Sequence, residues 1–246
     1  MIFKKFKYLH IYLPSIFIIW LALFIDSKTI SSLISHNQYI SNIIVIATFI
    51  YLYRNVTVKI RKIMLYGVFL GLAGETLFAL ILGMYSYRLE NLPIYVPFGH
   101  SIVYVIVFYI AKEKLVKINY QSVINCLYIF MATFSTYWFI IKDDTFGFIC
   151  FLFIVYLFYK KPQMRLFYLI MYCMVLYLEL VGTYYNCWVW PETWFGKIDF
   201  ISSANPPSSI SLFYFGFDLG CLWIYKKLNS KKWNRMKNIR RIRACK

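Results

Sequence analysis

Eight apolar runs, roughly 8–25, 39–53, 63–84, 94–111, 121–141, 145–159, 164–185 and 207–225, alternate with short polar clusters along the chain. Most approach the ~20 residues that carry a helix across the hydrocarbon core of a bilayer. The pattern predicts an all-α, polytopic transmembrane helix bundle of about eight spans in one integral membrane domain. The runs at 39–53 and 145–159 are short, about 15 residues each, and need tilt or extension by their flanks to cross.

Charge then orients the bundle. The first, third, fifth, seventh and last polar segments carry Lys4, Lys5 and Lys7; Arg54, Lys59, Arg61 and Lys62; Lys112, Lys114 and Lys117; Lys160, Lys161 and Arg165; and the basic tail at 226–246. The intervening segments hold Lys28, Arg88, Lys142 and Lys197 and no other Lys or Arg. By the positive-inside rule, both termini are expected in the cytoplasm and an even number of spans follows. A bacterial-type inner membrane is the expected location. Trp233, Met236, Ile239 and Ile242 recur every third residue or so in the tail, as on one face of a helix lying on anionic inner-leaflet lipid.

Two segments about a hundred residues apart resemble each other. Each has a glutamate, then an aromatic-x-aromatic pair, then a proline followed seven residues on by a tyrosine. In the first these are Glu75, Tyr85 and Tyr87, Pro97 and Tyr104; in the second Glu179, Trp188 and Trp190, Pro207 and Tyr214. They divide the chain into two expected repeats, 1–120 and 121–225, of four spans each in the same orientation. Membrane proteins built from repeats often place their site where the repeats meet.

Composition supports a lipid-solvated chain: 61% of the 246 residues are hydrophobic, more than a soluble domain of this size can bury. A net charge of +17 raises the question of nucleic acid, but the clusters between apolar runs are accounted for by topology, so none is expected. Six cysteines without C-x-x-C spacing indicate neither a zinc site nor a disulfide framework. The first run follows three lysines but precedes no small-x-small cleavage site, so it reads as an uncleaved first helix. No nucleotide-binding glycine pattern, GxSxG elbow or HExxH motif is present, and no cofactor or metal is expected.

Three carboxylates fall within apolar runs: Glu75, Glu179 and Asp218. A charge there costs roughly 2.5–3.5 kcal/mol on insertion scales, so such residues face a bundle interior, pair, or stay neutral. Helical spacing of four puts His100 and Tyr104 on one face, and Tyr214 and Asp218 on another. The outer loops add Tyr85, Tyr87, Arg88, Asn186, Trp188, Trp190 and Asn205, pinned by Pro93, Pro97, Pro191, Pro206 and Pro207. The expected catalytic residues are Glu75, Glu179, His100 and Asp218. The expected substrate contacts are Tyr85, Tyr87, Arg88, Tyr104, Asn186, Trp188, Trp190, Asn205 and Tyr214, in a pocket open to the outer leaflet.

Glu75, the Tyr85/Tyr87 pair, Pro93 and Pro97, with Trp188, Trp190 and Asn205 later, resemble the membrane carotenoid-biosynthesis hydratases, over about sixty residues in two patches. The glycine-rich segment of that family around the first aromatic pair is mostly missing here, and His100 has no counterpart in it. The resemblance implies a polytopic enzyme that adds water to an isoprenoid double bond. A neutral carboxylic acid can protonate an alkene, and aromatic faces stabilise the resulting cation. Membrane lipids are the expected partners. A proton-coupled transporter using Glu75, Glu179 and Asp218 as a relay is the alternative, and a non-catalytic membrane subunit a third reading.

Overall fold

The computed structural model describes residues 6–231 and 233–235. Long helices occupy all eight apolar runs. They are α1 (Leu9–Ile25), α3 (Asn37–Asn55), α4 (Val58–Glu75), α5 (Tyr95–Lys112), α7 (Tyr120–Lys142), α8 (Thr145–Lys160), α9 (Arg165–Tyr184) and α10 (Ser211–Leu228). Two short helices, α2 (Lys28–Ser31) and α6 (Lys114–Ile118), fill connections. Among the described residues, four segments are long and apolar enough to cross a membrane: Val58–Ile81, Tyr95–Lys112, Tyr120–Lys142 and Pro162–Tyr184. The chain is thus a nearly all-α membrane-compatible bundle with four such segments, fewer than the eight expected. Two others, α1 and α8, are apolar but shorter. α3 gains length from Asn37, Gln38, Arg54 and Asn55, which lower its hydropathy.

The interior is a ring of four helices. α4 packs on α5, α5 on α9, α9 on α10, and α10 back on α4. α5 is enclosed on all sides: Val105, Ile106 and Val107 are consecutive and fully buried. α9 buries Tyr168, Leu169, Tyr172 and Val175 completely. α1 and α3 pack outside α5, and α7 and α8 lie on the far side against α9 and α10. α7 turns Ile129, Tyr137 and Ile140 outward, an apolar surface that lipid would cover.

The all-α expectation needs one correction. The two aromatic segments that follow α4 and α9 form strands: β1 (Ser86–Tyr87) pairs antiparallel with β2 (Trp188–Val189), and β3 (Thr193–Trp194) with β4 (Ile198–Ser202). Backbone N–H groups leaving a helix need acceptors, and short ladders supply them where the chain doubles back. The expected lipid-facing tail is described only as far as Trp233 and residues 234–235; Met236, Ile239 and Ile242, like Lys4 and Lys5, lie outside the described residues. Trp233 lies under two ammonium groups, Lys59 at 5.5 Å and Lys226 at 5.0 Å from its ring centroid.

Three acids that lie outside the apolar runs, Asp26, Glu113 and Asp144, are nevertheless buried. Asp26 pairs with Arg88 at 2.6 Å and accepts from the Tyr95 hydroxyl at 2.8 Å. Glu113 accepts the backbone N–H groups of Lys7 and Tyr8. Asp144 caps α8 through Gly147 and also takes the N–H groups of Ala204 and Ser208, fixing the loop before α10. All three answer backbone or cationic donors.

Candidate functional site: two buried glutamates under an aromatic hairpin

Each glutamate is held by the segment that follows it. Glu179 lies in the last turns of α9. The helix then stops in a Schellman motif: Asn186 takes a left-handed φ of 54°, its N–H bonds to the Thr183 carbonyl, and the Cys187 N–H bonds to the Gly182 carbonyl. The chain doubles back over its own helix end. Trp188 and Trp190 then donate their indole N–H groups to Glu179 Oε2, at 2.8 and 3.1 Å. The indole of Trp188 rests on Gly182, where a Cβ would come within 2.1 Å of the ring. Only glycine allows this approach.

Glu75 closes α4 in a related way with one more residue. The helix continues as a π-helix over Thr76–Ile81, and Gly83 turns the chain at φ 65°. The left-handed residue lies eight positions after Glu75, against seven after Glu179, and the wider π turn absorbs the difference. Tyr85 and Tyr87 then donate their hydroxyls to Glu75 Oε2, both at 2.6 Å. His100, from the second turn of α5, places Nε2 2.8 Å from Glu75 Oε1.

The two hairpins meet. Ser86 pairs with Val189 and Tyr87 with Trp188 across the ladder, and the Arg88 N–H extends it to the Cys187 carbonyl. Tyr85 packs on Trp190 with ring centroids 4.5 Å apart. Glu75 and Glu179, each 4% exposed, therefore face one cavity from opposite walls of the helix ring. The cavity has about 80 Å³ of space for water-sized molecules. Its walls include Tyr95, Phe78, Leu178, Ile210, Phe213, Tyr214 and Phe217. His100 lies against Tyr214, with ring centroids 4.7 Å apart.

Outside the helices, burial pushes the Tyr85 and Tyr87 hydroxyls well above the usual phenol value of 10.0, and the neighbouring Glu75 charge pushes in the same direction. They stay protonated donors. They therefore do not titrate at physiological pH.

Eight of the thirteen sequence-predicted site residues thus converge: Glu75, Glu179, His100, Tyr85, Tyr87, Trp188, Trp190 and Tyr214. Five do not line the cavity. Asp218 lies further along α10, accepts the Tyr168 hydroxyl at 2.8 Å and leaves Oδ1 unpartnered. Tyr104 packs on Phe108 and Phe167. Asn186 is the exposed helix stop. Asn205 accepts the Trp190 N–H and so holds the hairpin. Arg88 is committed to Asp26 and Asn37.

Two residues outside the expected set matter: Tyr95 is a wall residue, and Asp26 stands behind it. Their signal in the sequence is Asp26 at the end of the first apolar run and Arg88, a lone cation between two apolar runs 62 positions on. No group of three or more His, Cys, Asp or Glu that could hold a metal occurs among the described residues. The arrangement can move protons: it offers two carboxyl groups and an imidazole across a narrow, aromatic-walled space. No family model matches the chain, nor does any curated protein or solved structure.

Proposed function

We propose that the protein is a multi-pass membrane enzyme that performs acid–base chemistry on a lipid or isoprenoid substrate in the Glu75–Glu179 cavity. One observation carries the reading. Two buried carboxyl groups from different helices face a single aromatic-walled space, each anchored by two aromatic donors. A structural carboxylate needs no cavity, and a lipid-facing aromatic belt needs no carboxyl partner. Narrow apolar walls suit a hydrocarbon segment. Rings at Tyr85, Trp188 and Trp190 suit a positive charge developing on it.

In this reading all eight long helices cross the membrane, both ends lie in the cytoplasm, and the cavity faces the outer leaflet. The two halves would descend from one four-helix unit; the matching glutamate hairpins support that origin. The basic tail would rest on anionic inner-leaflet lipid. The reaction class expected from the resemblance, protonation of an isoprenoid alkene followed by water addition, fits the chemistry of the walls. A proton-coupled transporter is less favoured, because Asp218, the third member of the relay it would use, lies off the cavity.

The test compares membrane lipid profiles of cells carrying the wild type, a deletion, Glu75→Gln and Glu179→Gln. The reading expects both variants to reproduce the deletion profile. Wild-type profiles in both, where the deletion differs, would end it.

A further inference from the structure

We propose that the two carboxyl groups divide the proton work, with Glu179 as the proton donor and the Glu75–His100 pair as the base. This inference rests on the acid–base reading above and assigns its roles.

The hydrogen bonds differ on the two sides. Every oxygen of Glu75 already meets a partner: two phenolic donors at Oε2 and the imidazole at Oε1. An ionised carboxylate is acceptor-only, and this set is what it needs. A proton on Oε2 would confront two donors, and one on Oε1 would be shared with His100. Glu75 and His100 thus form a unit that receives a proton.

Glu179 is built otherwise. Both indole donors go to Oε2, and Oε1 makes no hydrogen bond among the described residues. No Lys, Arg or His lies within ion-pair distance of Glu179 among the described residues, whereas Glu75 has the imidazole of His100. Burying a charge with one bare oxygen costs far more than burying the neutral acid. The proton therefore sits on Oε1, the one carboxyl oxygen of the pair left unbonded on the cavity wall. An indole cannot accept a hydrogen bond through its N–H, so the tryptophans can only hold Oε2 and leave Oε1 as the hydroxyl. Tyrosine hydroxyls in their place could accept a hydrogen bond from the acid. The choice of Trp after Glu179 and Tyr after Glu75 separates the two roles.

The cycle then closes on residues present. The alkene π pair takes the Glu179 proton, forming a C–H bond; the O–H bond breaks and leaves Glu179 ionised. The carbon next to it becomes cationic against the Tyr85 and Trp190 rings. Water adds through a lone pair and releases a proton to the Glu75–His100 pair; without water, a neighbouring C–H proton goes there and the double bond shifts. The proton on the Glu75–His100 pair returns to Glu179 across the water-sized space that these residues line together. The net change is addition of water or isomerisation.

The experiment is infrared difference spectroscopy on the purified protein without substrate, in light and heavy water. The wild type is expected to show the carbonyl band of a protonated carboxylic acid, shifted by carboxyl-13C glutamate. The band persists in Glu75→Gln and is lost in Glu179→Gln. In Trp190→Phe it moves to higher frequency, because the carbonyl oxygen Oε2 loses a donor. If Glu179→Gln does not fold, the labelled wild type and Trp190→Phe still decide. No glutamate carbonyl band in the labelled wild type, a Trp190→Phe band that does not move, or loss of the band in Glu75→Gln alone would overturn the assignment. The lipid-profile test is separate, so the division of roles can fail while the acid–base reading stands.

Discussion

Tyr85 and Trp190 face each other with ring centroids 4.5 Å apart, yet each gives its hydrogen bond to a different glutamate. That contact ties the two halves of the site together. A shift of one hairpin changes the anchoring of both acids, so the carboxyl groups are positioned as a pair.

Gly182→Ala tests that anchoring from below. Its methyl would meet the Trp188 ring and push the indole off Glu179. The expected cost is about 1–3 kcal/mol of stability, as for other overpacked sites. Denaturant titration in detergent measures it, and tryptophan emission should move to longer wavelength as Trp188 becomes hydrated. Unchanged stability and emission would show that the close approach is not needed.

Asn186 is expected to act as a helix stop and not as a substrate contact. Asn186→Gly should keep stability and activity, since glycine adopts positive φ freely. Asn186→Ala should lose about 1 kcal/mol, the order of the left-handed penalty for a residue with a Cβ. An inactive but stable Asn186→Gly protein would restore the contact role.

Removing Arg88 leaves Asp26 buried beside Tyr95 with its charge unpaired. Arg88→Met is expected to cost about 3–5 kcal/mol. Adding Asp26→Asn should recover part of that loss, because the unpaired charge is gone. A double-mutant cycle on thermal unfolding gives the coupling directly. Additive losses would mean that the pair contributes nothing as a pair.

Alkaline stability should depend on Tyr85 and Tyr87. Burial, followed by the Glu75 charge, holds both phenols protonated in the folded protein beyond their usual value of 10.0. In the unfolded chain they ionise near pH 10, so above it the unfolded state binds fewer protons and stability falls as pH rises. Below that pH they add no slope. Tyr85→Phe should make the alkaline fall shallower, and at neutral pH should cost about 1–2 kcal/mol for the lost hydrogen bond. An unchanged slope between pH 9 and 11 would exclude this linkage, the pH limits being about one unit either side of the phenol value.

Much of the site was legible as residue type. A glutamate inside an apolar run is costly enough to signal a role, and Glu75 and Glu179 stood out on that ground. Asp218 met the same criterion, but it bonds Tyr168 away from the cavity. The difference lies in depth along α10: Tyr214 reaches the cavity, and Asp218, one turn further on the same face, lies past its end. Arg88 looked like a ligand contact because it was a rare outer-loop cation. It serves Asp26, whose burial no local pattern reveals.

Where the helices run can be read along the chain, because a continuous apolar stretch is a local property and lipid or a packed interior satisfies it alike. The two glutamates and their aromatic pairs are marked there too. That Tyr85 and Tyr87 belong to Glu75, that Trp188 and Trp190 belong to Glu179, and that both sets share one cavity follows only from the packing. Those pairings depend on a π turn, a left-handed asparagine and a strand register between segments a hundred residues apart. Register and side-chain direction are set by packing across elements, which spacing along one chain does not encode.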